Sequence, residues 1–160
     1  MPLETGQQAP DFELYDGQGN FTKLSEMTGK PVVIAFFPAA FTGVCEKELC
    51  TFRDSMSRFN DVDAAVLGIS VDSRFANAAF AAANNIEFPI LSDHDRSTIK
   101  AWDLVFPDLA GMSGYDVARR SVYVLDADGK VAWCWLSDSP GDEPPYEEVM
   151  KATESLAQTN

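Results

Sequence analysis

Val32-Val33-Ile34-Ala35-Phe36-Phe37-Pro38-Ala39-Ala40-Phe41-Thr42-Gly43-Val44-Cys45 runs from an unbroken apolar stretch, through a proline, into a segment with helical spacing. The run from Val32 to Phe37 reads as a central strand buried on both faces, because a half-exposed strand would alternate with polar residues. Pro38 ends it. Thr42 is a suitable helix N-cap. Beyond it Leu49, Phe52, Met56 and Phe59 recur at helical spacing, so the reading gives one helix from Thr42 to about Phe59.

The order of elements follows from that start. Phe12-Glu13-Leu14 and Phe21-Thr22 flank Asp16-Gly17-Gln18-Gly19-Asn20, a hairpin signal. Ala64 to Val71 is a second core strand, and Asp72 and Ser73 can cap a helix through about Ala83. Phe88 to Leu91 reads as a short strand. Ser92 to Asp95 can begin a helix reaching Trp102, and residues 102–115 read as irregular. Ser121 to Leu125 and Lys130 to Leu136 flank Asp126-Ala127-Asp128-Gly129, a strong hairpin signal. Pro144 and Pro145 introduce a last helix from Tyr146 to about Leu156. Strand-helix-strand-helix followed by a hairpin and helix predicts an α/β fold, with a mixed central sheet covered by helices on both faces. No linker divides the chain, so residues 1–160 read as one domain.

Composition narrows the functions. The chain has 160 residues, 46% of them hydrophobic, enough for a real core. No apolar run approaches the length of a membrane span. Met1-Pro2-Leu3-Glu4 lacks the basic and apolar regions of a secretory signal, so the expected location is cytoplasmic. The 25 acidic residues against 12 basic ones give a net charge of -13, which repels nucleic acid and anionic lipid. Such a surface either serves solubility or suits concentrated salt, where screening makes the charge tolerable. The salt-adapted reading is preferred, and a salt titration of folding checks it. Three cysteines and one histidine fit neither a disulfide scaffold nor a zinc cluster.

With Thr42 as N-cap, Cys45 is the N3 residue, where free amides and the positive helix end favour a thiolate. The Thr42 hydroxyl is within reach of the sulfur or of a bound substrate, and Pro38 can shield the site from water. An inert core cysteine is the plain alternative. Glu48 shares the face of Cys45, and its carboxylate would oppose a thiolate unless a cation stands between them. Arg119 and Arg120, which lead into Ser121–Leu125, are candidates for that cation. Cys50 lies about 140° around the helix from Cys45 and about 7.5 Å along it. A disulfide needs Cα atoms within about 7 Å, so the two can pair only if the first turns unwind. Cys50 also falls opposite the apolar stripe, beside Glu46, Arg53 and Ser57, which favours a resolving role over an incidental one. Cys134, between Trp133 and Trp135, reads as a small core or interface residue, and His94 as a cap or surface group. Trp102, Phe106 and Tyr115 can form an interface or close the core.

Pro38-x-x-x-Thr42-x-x-Cys45 resembles the active-site motif of the peroxiredoxins. Ala9-Pro10-Asp11-Phe12, Phe88 to Asp93 and Arg120 to Asp126 follow in that family's order. In detail, Phe37 to Cys45 is similar to the AhpE-like one-cysteine branch. The Cys45-x4-Cys50 spacing is similar instead to the bacterioferritin-comigratory, or PrxQ-type, branch. The resemblance implies a thioredoxin-like fold and a peroxidatic Cys45, with Pro38, Thr42 and Arg120 around it and Glu48 linked to the arginine. It implies hydroperoxide substrates, a thioredoxin-like or other thiol reductant, no metal or organic cofactor, and a dimer or larger homo-oligomer. The competing readings are a peroxide-sensing or chaperone-like redox protein and a thioredoxin-like disulfide oxidoreductase. The latter normally carries Cys-x-x-Cys, which this chain lacks.

Overall fold

The computed structural model describes residues 1–157. The elements in chain order are β1 (Glu13–Tyr15), β2 (Phe21–Lys23), β3 (Val32–Phe36), α1 (Gly43–Asp54), α2 (Met56–Asp61), β4 (Ala65–Ser70), α3 (Arg74–Ala83) and β5 (Ile90–Ser92). They continue with α4 (Ser97–Ala101), β6 (Val105–Phe106), β7 (Val117–Ala118), β8 (Ser121–Leu125), β9 (Val131–Leu136) and α5 (Tyr146–Ala157). Seven strands form one sheet in the order β2-β1-β5-β4-β3-β8-β9. β3, β4 and β5 are parallel, whereas β8 lies antiparallel to β3 and β9 antiparallel to β8. This is the thioredoxin-like α/β arrangement with a mixed central sheet and flanking helices.

Strand β3 is buried along its whole length, and its alternation builds two cores. Val33, Ala35 and Phe37 face the core that holds Leu49, Phe52, Phe59, Phe80, Val149 and Met150. Val32, Ile34 and Phe36 face the core of Phe12, Ile99, Trp102 and Tyr123. Gly68 of β4 lets α1 sit close to the sheet, since a Cβ there would lie 3.2 Å from Leu49 Cδ1. No helix among the described residues is long and apolar enough to cross a membrane.

Three expectations change. First, the long helix is two helices. Ser55 leaves helical geometry at φ -99° and ψ 3°. Its hydroxyl donates to Thr51 O at 2.9 Å, the back-bonding that bends helices. The apolar stripe crosses this break without a gap because α2 restarts at the next residue. Second, the helix before Trp102 starts only at Ser97. Arg96 ahead of it holds a left-handed backbone (φ 65°), and the buried Asp93 carboxylate accepts the amides of Thr98 and Ile99 at 3.0 and 2.9 Å. The preceding strand shifts correspondingly to Ile90–Ser92. Third, the stretch after Trp102 contains the small antiparallel pair β6–β7. Trp102 itself is wholly buried between Phe36 and Tyr123 (ring centroids 5.2 and 5.1 Å), with Phe106 and Tyr115 packed on the same core. These aromatics close the core.

Candidate active site

The site sits where β3 hands the chain to α1. Pro38 is buried. The turn that follows is tight enough to force Phe41 into a left-handed backbone, φ 64°. A non-glycine residue pays about 1 kcal/mol or more for this. Two contacts hold it: Ala40 N donates to Asp72 Oδ2 at 2.8 Å, and the Phe41 ring meets Phe80 edge-on at 5.4 Å. Asp72 is therefore a strut of the active-site loop, whereas Ser73 caps α3 by accepting from Ala76 N. Sequence reading treats Asp72 only as a cap, and nothing local to Asp72 signals its longer reach.

Thr42 occupies the N-cap by its backbone, its carbonyl accepting from Glu46 N at 2.9 Å. Its hydroxyl does not cap the helix. It donates to Ala39 O at 2.7 Å, which leaves the oxygen's lone pairs to accept. Cys45 follows at N3 with no exposed surface, although Phe41, Thr42 and Gly43 just before it are exposed.

Arg120 converges on Cys45 from across the sheet. It stands immediately before β8, and its buried guanidinium donates from Nη2 to Cys45 Sγ at 3.1 Å. Nε and Nη2 also donate to Pro140 O at 3.1 and 2.8 Å, and Nη1 lies 3.4 Å from Glu48 Oε1. One planar fork thus joins α1 to the loop between β9 and α5, which a lysine could not do. The sequence reading contains no role for that loop. The Ser139-Pro140-Gly141-Asp142 turn and the Pro144-Pro145 pair are its local marks. Arg119 turns the other way, donating to Ser137 O at 2.7 Å.

Glu48 is fully buried on the face of Cys45, and its Oε2 has no hydrogen-bond partner among the described residues. Burial pushes its carboxyl up to about 8, against the lowering effect of Arg120 and with a smaller contribution from Glu143. Glu48 is thus largely protonated near neutrality, and the guanidinium charge is left to face the sulfur. The folded state accordingly holds an extra proton between the unfolded carboxyl range near 4.5 and about 8. Stability is full below that window and falls as pH rises through it, with a slope of up to about 1.4 kcal/mol per pH unit. In Glu48→Gln this part of the slope disappears. Urea unfolding at several pH values from 5 to 9 (order-of-magnitude slopes suffice) checks this, and parallel curves for the two proteins would refute it.

Cys50 lies on α1 away from Cys45. It is half-buried, with its thiol 3.6 Å from Asn84 Oδ1 at the end of α3. All three cysteines are free. Cys134 sits half-buried on β9, its thiol 3.8 Å from Leu3 O, packed on the core opposite to that of Trp133 and Trp135. His94 is exposed.

Residues 5–134 match the model of the AhpC/TSA family. Peroxiredoxin Bcp of Bacillus subtilis is 34% identical over 135 residues, covering 84% of this chain and 86% of that protein. The chloroplastic peroxiredoxin Q of Sedum lineare is 38% identical over 151 residues, covering 94% of this chain and 78% of that one. Among solved structures, peroxidoxin BcpB from Mycobacterium tuberculosis matches with a TM-score of 0.84 at 31% identity, over 96% of this chain and 98% of that chain. A buried cysteine at a helix start, under a buried arginine and within a family match over most of the sequence, leads to one conclusion: the chain belongs to the peroxiredoxins of the AhpC/TSA family, and it is a thiol-dependent peroxidase.

Proposed function

We propose that Cys45 is the peroxidatic nucleophile, that it reduces hydrogen peroxide and small organic hydroperoxides, and that Cys50 resolves it. The observation that carries this is the buried Arg120 fork, 3.1 Å from Cys45 Sγ at a helix N-terminus. The Cys45 thiolate attacks the terminal oxygen of the hydroperoxide. An S–O bond forms as the O–O bond breaks, and the leaving oxygen departs with a proton as water or alcohol. Arg120 and the free amides of α1 stabilise the charge that moves along this axis, and the Thr42 oxygen, its proton given to Ala39 O, accepts from the hydroperoxide O–H. Pro38 walls the site from bulk water, and Glu48 positions Arg120. A covered sulfur beneath the short exposed rim 41–43 suits small hydroperoxides better than bulky ones.

The product is a Cys45 sulfenic acid. The Cys50 thiol then attacks that sulfur: an S–S bond forms, the S–O bond breaks, and water leaves. A thioredoxin-like or other dithiol reduces the disulfide by exchange and is itself oxidised. On this reading the cycle is of the PrxQ type, and the AhpE-like resemblance covers only the segment 37–45. We read the 160 residues as one cytoplasmic domain, acting as a dimer or larger homo-oligomer.

Intact-mass analysis after one equivalent of peroxide tests the cycle. Wild type is expected to lose two hydrogens as a disulfide forms, whereas Cys50→Ser gains oxygen and forms none. A disulfide that persists in Cys50→Ser would move resolution to Cys134. Wild type that stops at the sulfenic acid, or at a mixed disulfide with an added thiol, would establish a one-cysteine cycle instead.

A further inference from the structure

We propose that Asn84, at the end of α3, is a latch that holds Cys50 in its reduced position and sets how fast α1 opens to form the disulfide. This rests on the reading of Cys50 as the resolving residue. Asn84 follows the last turn of α3 at φ -113° and ψ 9°, an ordinary conformation for any residue. Its side-chain amide donates to Phe80 O at 3.0 Å, and this turns Oδ1 toward the Cys50 thiol at 3.6 Å. Its backbone carbonyl, at the negative end of α3, accepts from Arg53 Nη1 at 2.6 Å. Cys50 and Arg53 are three residues apart on one face of α1. The single residue that ends α3 therefore grips the resolving thiol by its side chain and the next turn of the same face by its backbone.

Another polar tie between α1 and its surroundings on the solvent side is weaker. Lys47 Nζ lies 3.1 Å from Glu143 Oε2, but the lysine side chain is 71% exposed, and such pairs contribute little. The Arg53 bond is shorter and half-buried. To reach Cys45, Cys50 must give up both the helix and Asn84. A sulfenic acid that waits for Cys50 is open to a second peroxide, which carries it on to sulfinic acid. The grip of Asn84 thus divides the intermediate between disulfide formation and overoxidation.

The test uses the full chain and hydrogen peroxide in stopped-flow. Two quantities are read: the ratio of the disulfide-forming rate to the sulfenic-forming rate, and the peroxide concentration that half-inactivates the enzyme. Asn84→Ala removes the thiol contact and keeps the carbonyl, and it should raise the ratio ~3-fold. Arg53→Met cuts the backbone tie and should raise it ~10-fold, the range expected for losing a charged hydrogen bond. Both should raise the inactivating peroxide concentration in step. An unchanged or lower ratio in both Asn84→Ala and Arg53→Met, even with a reduced Tm, overturns the latch and leaves Cys50 as resolver. A wild type that forms no Cys45–Cys50 disulfide on peptide mapping overturns the resolving assignment, and the latch with it.

Discussion

Cys45→Ser is expected to reduce peroxide consumption by roughly four orders of magnitude or more, to the uncatalysed background. A serine hydroxyl carries no negative charge at neutral pH, so Arg120 would face a neutral oxygen and the O–O bond would meet no strong nucleophile. The fold should survive, because the exchange is nearly isosteric and the Arg120 donor at 3.1 Å gives the new hydroxyl a partner. Peroxide consumption under saturating thiol, read beside circular dichroism, separates chemistry from folding. Rapid turnover in a folded Cys45→Ser protein would take the nucleophile's role away from Cys45 and give it to Cys50 or Cys134.

Arg120→Met is expected to have the next largest effect, about 10²- to 10³-fold on kcat/KM, the range for removing a charge-stabilising donor from an active site. It also has a structural consequence. The guanidinium is 2% exposed and holds Cys45, Glu48 and Pro140 O together. Removing one partner of a buried ion pair commonly costs about 3–5 kcal/mol. Here the cost at neutral pH should lie at or below the low end of that range, because Glu48 is held largely protonated, and it should grow as pH passes about 8. Adding Glu48→Leu to Arg120→Met distinguishes the two effects. The double variant should recover stability in urea unfolding without recovering rate. Recovery of both would reduce Arg120 to a scaffolding role.

How much of this was readable in the residues differs from place to place. The strand-loop-helix at the site was legible because each signal is local: an apolar run, a proline stop and a threonine at the N-cap position, although its side chain bonds Ala39 O and not the helix. The break at Ser55 was not, since Leu49, Phe52, Met56 and Phe59 keep helical spacing across it. The pair β6–β7 has strands of two residues each, too short to show alternation. The start of α4 depends on Asp93 reaching forward to Thr98 and Ile99, which looks no different in the sequence from a capping Asp or Ser placed earlier. At the site, family resemblance named Arg120. The contacts of Pro140, Asp72 and Asn84 depend on carbonyls and carboxylates brought together over 20 to 34 positions, and no spacing rule reports those.

The one-residue break at Ser55 also bears on how the enzyme survives its own chemistry. On its far side, Arg58 of α2 donates from Nη1 and Nη2 to Glu147 and from Nη2 to Glu154 at 2.7 Å, fastening α2 to α5. Phe59 stays in the core behind that fastening. If Cys50 resolves Cys45 as proposed, unwinding of the first turns of α1 would end at or before Ser55 and leave Phe59 in the core. An enzyme that resolves in this way must repeat the opening at every cycle. A break that confines it limits how often sticky surface is offered to neighbouring proteins.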